Sequence, residues 1–337
     1  AAYDALGSNK GAVVVMDPST GKILAMVSKP DFDPNTVSQN WNELSTSEDS
    51  VLLNRATQGQ YAPGSTFKLV TTLEFMRENA DFDSYSYNCT GSIESGDVTI
   101  HCYGGHVHGQ VTLRDSLAYS CNTSFSNIGR SLNADTYKDT AQELLFNKKL
   151  PSVLPYSKSQ FTLTSSDTEA ERMMTAMGQG KTQVSPYHMA LITSAIANGG
   201  TLPQPRLIRG ITKDGVSLVT ETETTATPAF FSNTAIALQE LMIAAAYGSD
   251  TFQGVPDGIT VGAKTSTAQT GRYDENGVEY CHGWITGFFP ASKPRYVVTV
   301  LAEDGGYGND AAAPIFREVI EQIVQQKALP LSGAALS

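Results

Sequence analysis

No run in this 337-residue chain approaches the roughly 18 consecutive apolar residues of a membrane-spanning helix. The strongest apolar stretches, residues 11–16 and 296–301, have the length of strands, so the chain as it stands is expected to behave as a soluble one. The opening residues, AAYDALGSNKG, lack both the basic flank and the apolar core of an export signal, so any signal or anchor was removed or never existed. Basic clusters are also missing. With 23 Lys and Arg against 34 Asp and Glu, a net charge of −11, nucleic acid and anionic membrane surfaces are poor candidates for the main partner. Only four cysteines are spread over this length, which excludes a small disulfide scaffold. Low complexity is confined to residues 220–227 (TETETTAT), expected to be a solvated loop. What is present is material for a sizeable core: 40% apolar residues, including 14 Tyr and 13 Phe, enough for one large domain or two ordinary ones.

Residues 11–17 (GAVVVMD) and 22–28 (KILAMVS), joined by a Pro-Ser-Thr-Gly turn, predict a β-hairpin. A Pro- and Asn-rich loop over 29–42 follows. Residues 65–79 predict a mostly buried helix with a polar start, and helical patterns continue over 112–132, 135–146 and 186–197, the last stopped by Asn-Gly-Gly. Strand signals return at 259–269, 280–289 and 295–301, and an amphipathic helix at 311–326 closes the pattern. Strands, helices, strands and a helix in that order predict an α+β unit. If the first and last strands share one sheet, the helical middle is an inserted lobe.

The start of the buried helix carries the first candidate chemistry. Ser65 and Lys68 lie one turn apart on the same face, so a desolvated amine can act as base toward a hydroxyl at a helix N-terminus. Ser-x-x-Lys alone is weak evidence, because Ser19 and Lys22 match it in what reads as a hairpin turn. Ser120-Cys121-Asn122 in the helical region can aim two polar side chains at a cleft, although Ser-x-Asn also recurs at Ser38 and Ser131. Lys264-Thr265-Ser266-Thr267 lies in a strand-like run, where a strand edge can offer a cation, a hydroxyl and free N–H groups to a substrate.

In this order and setting the three pieces resemble the signatures of the penicillin-binding protein and serine β-lactamase superfamily, Ser-x-x-Lys, Ser-x-Asn and Lys-Thr-Gly. The nearer likeness is to class B penicillin-binding proteins. It is carried by NRATQGQYAPGSTFK at 54–68, MGQGKTQVSP at 177–186, HGWITGFFP at 282–290 and AAAP at 311–314. The resemblance implies a β-lactamase/transpeptidase-like α+β fold: an antiparallel sheet of N- and C-terminal strands flanked by helices, with an inserted, mainly helical lobe. The whole chain would be one transpeptidase domain, its sheet lobe about 1–60 and 200–337 and its helical lobe about 61–199. A membrane anchor and a non-catalytic domain would precede it in the full protein.

The resemblance further implies a peptidoglycan D,D-transpeptidase. Ser65 would be the nucleophile and Lys68 its base. Ser120 and Asn122 would relay a proton and hold the substrate amide, and Lys264, Thr265 and Thr267 would grip the substrate carboxylate. The backbone N–H groups of Ser65 and Thr267 would form the oxyanion hole. Ser266 replaces the family glycine, which puts the shape of the pocket in question. The implied partners are donor and acceptor stem peptides of peptidoglycan, β-lactam antibiotics and cell-wall machinery such as a glycosyltransferase. The setting would be the extracytoplasmic face of the bacterial cytoplasmic membrane, and no cofactor is implied. The alternatives are a D,D-carboxypeptidase or β-lactamase, which would hydrolyse the same acyl-enzyme, and a β-lactam-binding sensor or silent scaffold.

Cys89 and Cys102 bracket a short predicted hairpin. A disulfide, favoured by the extracytoplasmic setting that the resemblance implies, stands beside two free thiols and beside a metal site from Cys89, Cys102, His106 and His108, with His101 also near. Cys121 reads as a buried filler, and Cys281 with His282 as the start of a late strand. Trp284, Phe288 and Phe289 are expected in the core, Tyr307 on a loop, and Glu303 and Asp304 in solvent.

Overall fold

The computed structural model describes residues 1–208, 210–214, 216–219, 226–248 and 252–327. Five antiparallel strands form its main sheet: β1 (Gly11–Met16), β2 (Ile23–Lys29), β3 (Gly262–Tyr273), β4 (Glu279–Phe289) and β5 (Tyr296–Ala302), in the spatial order β3-β4-β5-β1-β2. The first and last segments of the chain therefore share one sheet. The central strand β1 pairs Gly11 with Ala302 through Met16 with Val297 on one side, and with β2 on the other.

Buried on both faces, β1 is apolar throughout, as a strand between two packed layers must be. Ala12, Val14 and Met16 point into one core and Val13 and Val15 into the other, following the alternation of side chains along a strand. The first core lies toward the helical lobe. It is entered by the wholly buried helix α4 (Pro186–Ala197) and by α5 (Ser232–Tyr247). The second core is closed by α6 (Gly308–Lys327) through Phe316, Val319 and Ile320. Trp284 and Phe288 of β4 face the first core and Phe289 the second, all fully buried as expected.

Between β2 and β3 the chain builds the helical lobe around α1 (Lys68–Glu78), which opens with a 3-10 turn over Gly64–Phe67 and buries nine of its eleven residues. The predicted helix over 112–132 is two helices, α2 (Leu113–Ala118) and α3 (Asn122–Ser131). They are separated by Ser120 in the left-handed region, at φ 54°. Helices at Val37–Thr46 and Glu169–Ala176, together with α5, add to those read from the sequence. The first of these occupies part of the expected Pro- and Asn-rich loop. The biased stretch at 220–227 falls mostly outside the described residues. Among the described residues no helix is long and apolar enough to cross a membrane.

Candidate active site

The 3-10 turn, the break between α2 and α3, and the edge strand β3 meet at a cavity of about 980 Å³ lined by Ser65, Ser120, Asn122, Thr265, Ser266 and Thr267, among others. The second Ser-x-x-Lys stays apart. Ser19 sits in the β1–β2 turn, where its N–H and hydroxyl both donate to Asp17.

Lys68 is the hub. Its Nζ, fully buried, lies 3.1 Å from Ser65 Oγ, 3.2 Å from Ser120 Oγ, 2.9 Å from the Ser120 carbonyl and 2.8 Å from Asn122 Oδ1. Ser120 Oγ is also 2.8 Å from Ser65 Oγ. The left-handed Ser120 explains how one residue presents both its carbonyl and its hydroxyl to the same amine, and why a continuous helix cannot run through it. Asn122 is steadied from behind, its Nδ2 donating to the His101 carbonyl at 3.1 Å.

Burial pulls the Lys68 amine well below its ordinary value, and the nearby Lys264 charge adds to the effect. A neutral amine beside a serine hydroxyl can take its proton. Lys264, on β3, is itself buried, which lowers it to about 7, and its Nζ donates to the Thr265 carbonyl at 3.1 Å. Thr267 Oγ1 accepts from the Gly308 N–H at 3.1 Å, tying β3 to the start of α6. Gly178 is required where its loop packs on the turn that carries Ser65: a Cβ there would stand 1.7 Å from the Gly64 carbonyl oxygen.

The matching family model is described as the penicillin-binding protein transpeptidase domain and covers residues 11–321. The chain belongs to the penicillin-binding protein transpeptidase family. It is 32% identical to the peptidoglycan D,D-transpeptidase PbpA of Mycolicibacterium smegmatis, over 97% of the chain and 70% of that protein. With PbpA of Mycobacterium tuberculosis it shares 33% identity, over 95% of the chain and 68% of that protein. Among solved structures, penicillin-binding protein A of M. tuberculosis as a ceftriaxone acyl-enzyme superposes with a TM-score of 0.87 at 31% identity, over 95% of this chain and 76% of that one. The D,D-transpeptidase domain from Eggerthella lenta gives 0.88 at 28% identity, over 98% and 81%.

Behind the site of this transpeptidase domain lies a second polar cluster. Cys89 and Cys102 do not form the expected disulfide; both are free, with Sγ atoms 3.7 Å apart. They are joined by Cys121, whose Sγ is 3.7 Å from that of Cys102, and by His108, whose Nδ1 is 3.3 Å from Cys89 Sγ. All four donor atoms lie within 4.8 Å of one another. His106, expected in a metal set, has an exposed ring outside this group, and the buried Cys121 takes its place. A tetrahedral zinc ion with Zn–S bonds near 2.3 Å spaces its sulfurs about 3.8 Å apart, so the donor set fits such an ion. The Cys121 thiol bonding to Cys102 draws Cys102 below the ordinary thiol range, the direction that suits a metal-binding sulfur.

Two sequence readings near the cleft need correction. Glu303 is not in solvent but pairs with the buried guanidinium of Arg55 and accepts from Tyr61 Oη. Asp304 pairs with Arg272, and its N–H donates to His282 Nδ1 at 3.0 Å. Charged groups at the end of β5 thus tie it to the segment around Arg55 and Tyr61 and to β3 and β4. Tyr307 does line the cavity, with Tyr103 opposite at 5.2 Å between ring centroids, a partner that a motif search had no signal to find.

Proposed function

We propose that this domain is a serine D,D-transpeptidase that cross-links peptidoglycan through an acyl-enzyme on Ser65. The observation that carries the reading is the Lys68 amine, buried and held below its ordinary value, within hydrogen-bond reach of Ser65, Ser120 and Asn122. Ser65 Oγ attacks the carbonyl carbon of the penultimate D-alanine of a donor stem peptide while its proton passes to Lys68. The new C–O bond forms, the amide C–N bond breaks, and Ser120 hands a proton to the departing D-alanine nitrogen. An amine from a neighbouring stem peptide then attacks the ester, restores the Ser65 hydroxyl and leaves a cross-link. Thr265 lines the cleft and Lys264 lies buried next to it on β3; together they would grip the substrate carboxylate, while the N–H groups of Thr267 and Ser65 would meet the oxyanion. A β-lactam would enter by the same attack and remain as a slowly hydrolysed ester.

This reaction needs donor peptides carried on glycan strands, so a glycosyltransferase must act before it, and its place is the outer face of the cytoplasmic membrane. The test is a donor stem peptide supplied with an amine acceptor. Cross-linked product is expected; free acid alone would make the domain a D,D-carboxypeptidase, and no turnover would make it a sensor or scaffold.

The thiol–imidazole set favours a second reading, that Cys89, Cys102, His108 and Cys121 hold a structural zinc ion. Such an ion would tie the 89–108 hairpins to the loop carrying Ser120 and Asn122, which flank one of its ligands. Elemental analysis should find about one zinc per chain, and the Cys121→Ser variant should lose it; a metal-free native protein that is equally stable would refute this reading.

A further inference from the structure

We propose that Ser266 is a positioning residue that restrains acylation by holding the backbone N–H of Ser65. Ser65 N–H donates to Ser266 Oγ at 2.7 Å, across 201 residues of sequence. In the reading above, on which this inference rests, that N–H must instead meet the acyl oxygen as it takes on negative charge. Occupied by a neutral hydroxyl, it must be freed first.

The arrangement is built rather than incidental. Ser266 is 3% exposed and lines the cavity, with its backbone paired to Trp284 of β4. Its carbonyl is pressed against Gly308, where a Cβ would come within 2.1 Å of the oxygen, so β3 cannot move closer to the start of α6, and the Gly308 N–H bond to Thr267 Oγ1 opposes its moving away. On the other side, Gly64 makes the room. Its φ is 53°, and a Cβ there would stand 2.1 Å from Ser266 Oγ. With the backbone fixed on both sides, turning the side chain about χ1 is the movement left to release the N–H. The sequence raised Ser266 as a matter of pocket shape; its hydrogen bond makes it a matter of oxyanion stabilisation. A shape effect would differ among β-lactam classes, whereas an engaged N–H slows every acyl donor by a similar factor.

The experiment measures second-order acylation rates of the wild type, Ser266→Gly and Ser266→Ala with a penicillin and a carbapenem. Melting temperatures and the infrared ester carbonyl band of each acyl-enzyme are recorded alongside. Both variants should react about three- to tenfold faster with both drugs, the worth of one neutral hydrogen bond exchanged, and the ester band should move to lower wavenumber. Unchanged or slower acylation in Ser266→Ala at unchanged melting temperature would overturn the proposal, since the hydroxyl would then be idle or an oxyanion donor itself. A gain confined to one drug class would overturn it in favour of pocket shape. Failure of the underlying reading is separable: it shows in the wild type alone, as an adduct mapped away from Ser65.

Discussion

Two polar clusters lie back to back on the loop from Ser120 to Asn122, and they are organised in opposite ways. On the cleft side the Lys68 amine is surrounded by hydroxyl, carbonyl and amide oxygens, and the hydroxyls of Ser65 and Ser120 also bond to each other. On the far side three thiols and an imidazole converge with few oxygens near them, Thr123 Oγ1 at 3.2 Å and the His106 carbonyl at 4.0 Å from Cys89 Sγ. The first set suits proton transfer, because burial leaves an amine neutral while its neighbours remain polar. The second suits a soft cation that fixes geometry. On the readings proposed above, chemistry and scaffolding would be divided between faces of one three-residue motif, Ser120 and Asn122 serving one and Cys121 the other.

If that division holds, substitutions on the two sides should fail differently. Lys68→Ala should cut the β-lactam acylation rate by about 10²- to 10⁴-fold, the usual reach of a general base, while leaving the melting temperature the same or higher because a buried amine is gone. A large fall in melting temperature would instead make Lys68 a structural group. Cys102→Ser should show the converse: zinc lost, melting temperature lowered, and the acylation rate reduced less than in Lys68→Ala. Equal rate losses in the two variants would erase the distinction.

A smaller effect concerns charge in the cleft. Lys264 is held at about 7 by burial, against 10.5 for the exposed side chain. As a cation it can grip a carboxylate, so acylation by carboxylate-bearing β-lactams should weaken as pH rises through about 7. Lys264→Arg stays charged and should flatten that alkaline fall; an unchanged pH profile would remove Lys264 from the carboxylate grip. The sign for stability is the reverse. Between pH about 7 and 10 the unfolded chain binds the proton that the folded chain has lost, so this lysine makes the fold more stable as pH rises, which melting curves across that range would show.

Much of this was legible in the sequence, and the exceptions have physical reasons. Short, largely apolar runs at the two ends of the chain point to the hairpin and the late strands because β1, β5 and the second half of β4 are buried on both faces. The pattern over 112–132 was read through Ser120 as one helix, since nothing in serine's propensity announces a left-handed residue; the demand comes from Lys68, some fifty residues earlier. Helix α5 shows no periodic signal because its apolar and small residues run almost all round it, as burial on several sides allows. Ser65, Lys68, Ser120 and Asn122 are legible because their short spacings, each weak alone, occur in the order and setting of the family that the chain resembles. The thiol–imidazole set is only partly legible: the sequence offered Cys89, Cys102 and His108 as one alternative, with His106 where the structure has Cys121. Its members come from separate hairpins and a helix cap, so no single spacing template contains them, and Cys121 looked like a filler between two motif residues. Glu303 was placed in solvent for a similar reason: its partner Arg55 lies 248 residues away.

The most direct test of the central claim is to label the domain with a fluorescent penicillin and map the adduct by mass spectrometry of its peptides. One equivalent on the peptide containing Ser65, absent from Ser65→Ala, is the result the geometry around Lys68 requires. Label on another residue, or a Ser65→Ala variant that labels as fast as the wild type, would contradict it.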